Sequence, residues 1–202
     1  LGGNQITKVS GIINGTTNYI LSRMDKEGVS YADVLKDAQA LGYAESDPAA
    51  DVEGSDAADK IAILTGLAFG GSINRTDIPT TGINLLEGID VTYARQLGYG
   101  IKLLAISEKG KTQSERENSQ PLSVWVEPTL VPEDNPLAGV NGVNNAILVE
   151  GNPIGQVMFF GPGAGSGPTA SAVVADILNI AGIHSMSGDK ILNLDPLLSA
   201  KG

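Results

Sequence analysis

The chain has 202 residues, 42% of them hydrophobic and 18% charged, with a formal net charge of -10. That balance is globular, with enough apolar area for a real core, and the negative charge argues against a nucleic acid or an anionic membrane as partner. With no cysteine and one histidine, disulfides, thiolate nucleophiles, Cys-ligated zinc and any His-pair metal site are excluded.

No apolar run approaches the ~20 residues needed to span a bilayer. Leu1–Gln5 lacks the Met, the basic segment and the apolar segment of a signal peptide. We therefore expect a cytoplasmic chain cut from a longer one. His184 is expected to be a surface residue.

In chain order, residues 6–13 (ITKVSGII) read as a strand entering a turn. Asn14-Gly15-Thr16-Thr17 supplies cap chemistry for a helix that buries Ile20, Leu21 and Met24 and stops near Gly28. Ser30-x-x-Asp33 starts a second helix, with Val34, Leu35, Ala38 and Leu41 inward and Gly42 just past its end. Residues 43–54 form an acidic loop in which Pro48 disfavours helix. Ser55 is expected to cap a third helix to about Phe69, with Ala57, Ile61, Leu64 and Ala68 as its core stripe. Residues 70–89 read as irregular, and Asp90 as the cap of a short helix to Leu97.

The period then changes. Ile101–Ser107, Leu122–Val131, Ala146–Glu150 and Gln156–Phe160 are predicted strands, with Gly151-Asn152-Pro153 as a hairpin turn and 108–120 as a solvated loop. A helix is predicted over 168–181, with Pro168 near its first position and Gly182 past its end. Helices followed by consecutive strands imply an α+β fold: a mixed sheet with helices on one face. A strand–GxGxxG–helix unit is lacking.

Three stretches can carry chemistry. Asp56 and Lys60 lie four apart on one helix face, downstream of Glu45, Asp47, Asp51 and Glu53. These residue types admit two readings. One is a solvated acidic loop with a surface ion pair worth roughly 0.3–0.5 kcal/mol. The other is a site that holds a substrate ammonium and sets a lysine amine beside a reacting hydroxyl. A calcium loop fails, because Gly54 at its sixth position puts Ala49 at the first. The second stretch, Gly161 to Thr169 (GPGAGSGPT), joins strand to helix. It allows close backbone approach and an anion at the helix start, or is a plain tight turn. The third, Gly11 to Tyr19, offers free helix N–H groups to a carboxylate, or simple capping.

Gly42 to Lys60 (GYAESDPAADVEGSDAADK) closely resembles the homoserine dehydrogenase signature, a long and specific pattern. Gly11–Leu21 (GIINGTTNYIL) and Gly161–Ile177 (GPGAGSGPTASAVVADI) resemble two further blocks of that family, in the family's order. The resemblance covers residues 1–182. It implies interconversion of L-homoserine and L-aspartate 4-semialdehyde with NADP or NAD, on the route to threonine, methionine and isoleucine. It makes Lys60 the proton-transfer lysine and Asp56 the acid that positions it. It places Glu45, Asp51, Tyr43, Gly15 and Thr16 at the substrate, and Gly163, Ala164 and Gly165 near the cofactor. It also implies a homodimer formed partly through the sheet. Residues 161–182 would pack towards a preceding nucleotide-binding domain absent from this chain, leaving 183–202 as a docking segment or linker. That domain would hold most of the cofactor, so the 202 residues alone are expected not to turn over. The alternatives are a non-catalytic amino-acid-binding or regulatory module, and a different NAD(P)-linked enzyme with a related substrate domain.

Overall fold

The computed structural model describes residues 1–110 and 121–186, with side chains of the last helix through Ile183. The chain divides into two compact units, Leu1–Gly163 and the residues from Ala164 onward.

In the first unit β1 (Gln5–Ile12) leads through Ile13 and Asn14 into α1 (Gly15–Glu27). Asn14 Oδ1 accepts the Thr17 N–H at 2.9 Å, and Gly28 ends the helix at φ 67°, a left-handed geometry that suits glycine. In α2 (Tyr31–Ala40) the Ser30 hydroxyl accepts the Asp33 N–H at 3.2 Å. These three boundaries match the sequence reading.

Three others do not. The acidic loop contains a short helix, α3 (Ala49–Val52), with Pro48 at its N-cap, where a missing N–H costs no ladder bond. Gly54, not Ser55, caps α4 (Ser55–Phe69). Its φ of 88° turns the chain from α3 into α4, and the Ser55 hydroxyl instead donates back to the Ala50 carbonyl at 3.2 Å. Glu87, not Asp90, caps α5 (Gly88–Gln96); Asp90 Oδ2 reaches back to accept the Glu87 N–H at 2.9 Å, completing a capping box. Between α4 and α5 a 3-10 turn spans Arg75–Asp77.

The sheet follows from β2 (Tyr99–Lys109), β3 (Leu122–Pro132), β4 (Asn144–Asn152) and β5 (Gly155–Pro162), in the order β3-β2-β1-β4-β5. Every ladder is antiparallel, so the expected mixed sheet is corrected to an antiparallel one. Among the described residues parallel pairing is confined to one bridge, Thr80 with Val126. β2, β4 and β5 run past both predicted ends because the ladders continue over residues too polar to signal a strand, such as Lys109 opposite Leu122, whereas β1 stops one residue short of its predicted end and β3 starts where expected. The hairpin expected at Gly151-Asn152-Pro153 joins β4 to β5, with Gly151 opposite Gly155.

Alternate residues of the strands enter two cores. Val9, Leu103, Ala105 and Val126 pack with Ile20, Met24, Val34, Val52, Ile61 and Val91, so α1 to α5 all contribute to one side of the sheet. Leu104, Ile106 and Leu148 form the other core, covered by Leu137 and Val140 from the segment between β3 and β4. The α+β architecture with helices on one face is the one expected.

The second unit contains α6 (Ser166–Met186). It starts two residues before Pro168, which falls at the third helical position, still inside the first turn where no intrahelical N–H bond is lost. It continues through Gly182, tolerated at a helix interior cost of about 1 kcal/mol. The predicted boundary at 182 is thus not a helix end. Among the described residues no helix is long and apolar enough to cross a membrane. Residues 111–120 of the expected loop, residues 187–202 and the His184 side chain lie outside the described residues.

Candidate active site

The site grows from the place where β1 stops. Asn14 is buried there and uses both ends of its carboxamide. Its oxygen caps α1. An N-cap needs only that oxygen, which leaves the amide donors free to reach outward. They donate to Asp51 Oδ1 at 2.6 Å and Asp56 Oδ2 at 2.9 Å. The same Asp56 oxygen accepts from Lys60 Nζ at 2.7 Å, and Lys60 also donates to the Ile13 carbonyl at 3.1 Å.

The local folding explains the convergence. Asp51 is carried by α3, and the left-handed Gly54 reverses the chain so that Asp56 falls in the first turn of α4, where the helix dipole favours an anion. Lys60 follows one turn later on the same face. Its side chain is 46% exposed and that of Asp56 31%, so the ammonium is held but open to a ligand.

Beside Lys60 lies a cavity of about 490 Å³. Ile63, Leu64, Phe159 and Pro162 give it apolar walls, and Asn145 and Gly163 form part of its rim. A Cβ on Gly163 would stand 1.9 Å from Asn145 Nδ2, so any larger residue there would push that side chain aside. An apolar wall next to an amine fits one face of a planar ring.

The expected site residues separate into groups. Lys60, Asp56 and Asp51 come together through Asn14, and Gly163 joins Lys60 around the cavity. Gly15 opens α1 next to Asn14, and the Thr16 hydroxyl donates to the Tyr43 carbonyl at 2.7 Å. The Tyr43 ring packs against Tyr19 with centroids 4.9 Å apart. Glu45 is tied only through its backbone carbonyl, which accepts from Gln39 at 3.0 Å; among the described residues nothing engages its carboxylate. Ala164 and Gly165 begin the second unit, Gly165 at φ 117°.

The sequence reading missed Asn14 as a site residue and Asn145 altogether. Asn14 gave a signal, a cap with spare donors, whereas Asn145 sits in a strand with nothing local to mark it. Among the described residues no group of three or more His, Asp or Glu side chains is arranged to hold a metal.

The fold and site together are an antiparallel sheet under a helical layer, with an Asn-tethered Asp–Lys pair beside an apolar cavity. The homoserine dehydrogenase family model matches residues 1–178, and the chain belongs to that family. It is 57% identical over 199 residues to a homoserine dehydrogenase of Synechocystis sp., covering 98% of this chain and 45% of that protein. A solved homoserine dehydrogenase from Thiobacillus denitrificans superposes with a TM-score of 0.86 at 46% identity, over 92% of this chain and 41% of that one. A hyperthermophilic archaeal homoserine dehydrogenase mutant in complex with NADPH gives 0.70 at 33% identity, over 88% and 48%. The chain therefore spans less than half the length of these relatives.

Proposed function

We propose that this chain is the substrate-binding and catalytic part of a homoserine dehydrogenase, which interconverts L-homoserine and L-aspartate 4-semialdehyde. The observation that carries the reading is the run Asp51–Asn14–Asp56–Lys60 at the edge of an apolar cavity. A nicotinamide dinucleotide, NADP or NAD, supplies or takes the hydride when bound. Ile63, Leu64, Phe159 and Pro162 would flank its ring, with Gly163 to Gly165 approaching it, and a nucleotide-binding domain outside these residues would hold the rest.

Lys60 gives a proton to the aldehyde oxygen in reduction and takes it back from the hydroxyl in oxidation. Asp56 keeps the amine aimed, and the Ile13 carbonyl fixes it from a second direction. Asp51 and Glu45 offer anionic partners to the substrate ammonium, and the unengaged Glu45 carboxylate is free to turn towards it. The first-turn N–H groups of α1 at Gly15 and Thr16 suit the substrate carboxylate, and Tyr43 closes the same end. A cytoplasmic homodimer serving threonine, methionine and isoleucine synthesis belongs to this reading.

The test is homoserine-dependent reduction of NAD and NADP by the full-length protein beside its Lys60→Ala variant. Activity that collapses in the variant supports both the reaction and the residue. Activity that survives moves proton transfer elsewhere. No activity with either cofactor, together with measurable homoserine binding, returns the chain to an amino-acid-binding module. The 202 residues alone are expected to be inactive.

A further inference from the structure

A second lysine is far more deeply set than Lys60. Lys102 lies in β2 with 4% of its surface exposed, and among the described residues no carboxylate bonds to it. Its Nζ donates to the Val140 carbonyl at 2.5 Å, Asn141 Oδ1 at 3.2 Å and Asn18 Oδ1 at 3.4 Å. An ammonium has three N–H donors, and three neutral acceptors meet it.

Those acceptors belong to the pieces that build the site. Asn14, Asn18 and Ser22, four residues apart, form a buried polar stripe along α1. Asn14 holds Asp51 and Asp56. Asn18 takes the Lys102 ammonium and donates to the Asn144 carbonyl at 3.0 Å. The Ser22 hydroxyl accepts the Gly142 N–H at 3.1 Å. The Val143 carbonyl lies 2.9 Å from where a Cβ on Gly15 would stand, so this segment presses on the first residue of α1. Two residues further on, Asn145 reaches the cavity beside Lys60.

We propose that Lys102 is a positioning residue for the active site: its ammonium locks residues 140–145 against the start of α1 and thereby sets Asn14 and Asn145 relative to Lys60. This rests on the reading of Lys60 as the proton-transfer residue. The charge state of Lys102 is part of the device, because a neutral amine has two N–H donors for three acceptors. Burial pulls its pKa down to about 8 from 10.5, with Asp25 of α1 opposing that shift and Lys26 adding to it. Thr129 pairs opposite it on β3, and the segment over it presents the neutral Val140 carbonyl and Asn141 carboxamide.

The experiment follows kcat and KM against pH in the full-length enzyme and in Lys102→Met, Asn141→Asp and Lys60→Ala. In Lys102→Met we expect kcat to fall by about tenfold or more with the cofactor KM unchanged. The wild-type alkaline limb is expected near pH 8 and should move up by about one unit or more in Asn141→Asp, where a carboxylate faces the ammonium. A wild-type kcat in Lys102→Met, or a limb that stays in place in Asn141→Asp, overturns the proposal. Should Lys102→Met fail to fold, the Asn141→Asp limb decides. Lys60→Ala that stays active while the limb still moves refutes the proton-transfer reading and not the role of Lys102.

Discussion

The two lysines that bracket the start of α1 solve the same electrostatic problem in opposite ways. Lys60 keeps nearly half its side chain in solvent and has a carboxylate partner one turn away on its own helix. Lys102 gives up solvent almost entirely and, among the described residues, has only carbonyl and carboxamide oxygens. A compensated, half-wet ammonium can move and exchange a proton with a ligand. An uncompensated, dry one is fixed by its hydrogen bonds and resists its own charge. The difference separates a group suited to chemistry from a group suited to holding chemistry in place.

The comparison breaks first at Lys60. Lys60→Ala should cost between about a hundredfold and ten-thousandfold in turnover, the usual range for a lost general acid–base. Its folding stability should change by less than about 1 kcal/mol, because the lost pair is partly exposed. Denaturant melts beside kinetic assays check both halves; a large stability loss would make Lys60 structural.

Lys102 should show the reverse pattern in stability against pH. Its folded pKa of about 8 lies below the unfolded 10.5, so between those values the unfolded chain binds more protons. Stability therefore rises with pH through that window, and the penalty is full below it and gone above it. Relative to Lys102→Met, the wild type should gain up to about 3 kcal/mol from pH 7 to 10.5. Parallel slopes for the two proteins would show that the buried ammonium carries no such penalty.

Asn14→Ala sharpens the contrast, since one carboxamide serves both helix and site. Losing the cap should cost about 1 kcal/mol, and leaving Asp51 and Asp56 without their shared donor should lower kcat by about tenfold. Asn14→Ser restores a cap oxygen but not the amide donors, so stability should recover more than activity. The smallest effect is expected at Asp59, whose pairing with Arg75 at 3.5 Å joins two mostly exposed side chains. Asp59→Asn should stay within about 0.5 kcal/mol of wild type in thermal melts, with unaltered kinetics.

Much of this was legible in the sequence where the cause is local. Asn14 and Gly28 bound α1, and Asp56 and Lys60 fell four apart on a helix, because caps and side-chain periodicity act within a few residues. Errors of one to three residues at Gly54 and Glu87 arose where backbone geometry or a reciprocal capping box outweighed the more obvious polar side chain. Lys102 was unreadable for a different reason. It sits in an apolar run that announces only a strand, and its partners Asn18 and Asn141 lie 84 and 39 residues away. The Asp51 partner of Asn14 is 37 residues off, and nothing in either local pattern points to the other.

The strand order also dictates how the molecule has to be assembled in time. β1 is made first yet occupies the middle of the sheet, and its neighbours begin only at Tyr99 and Asn144. The hairpin β4–β5 closes over a few residues, whereas β1 has to wait for partners with large loop-closure entropies. In pulse-labelled hydrogen exchange, amides of β4 and β5 are expected to gain protection before those of β1. Because β1 delivers Ile13 and Asn14 to Lys60 and Asp56, the geometry of the candidate site is expected to form only with that slow closure.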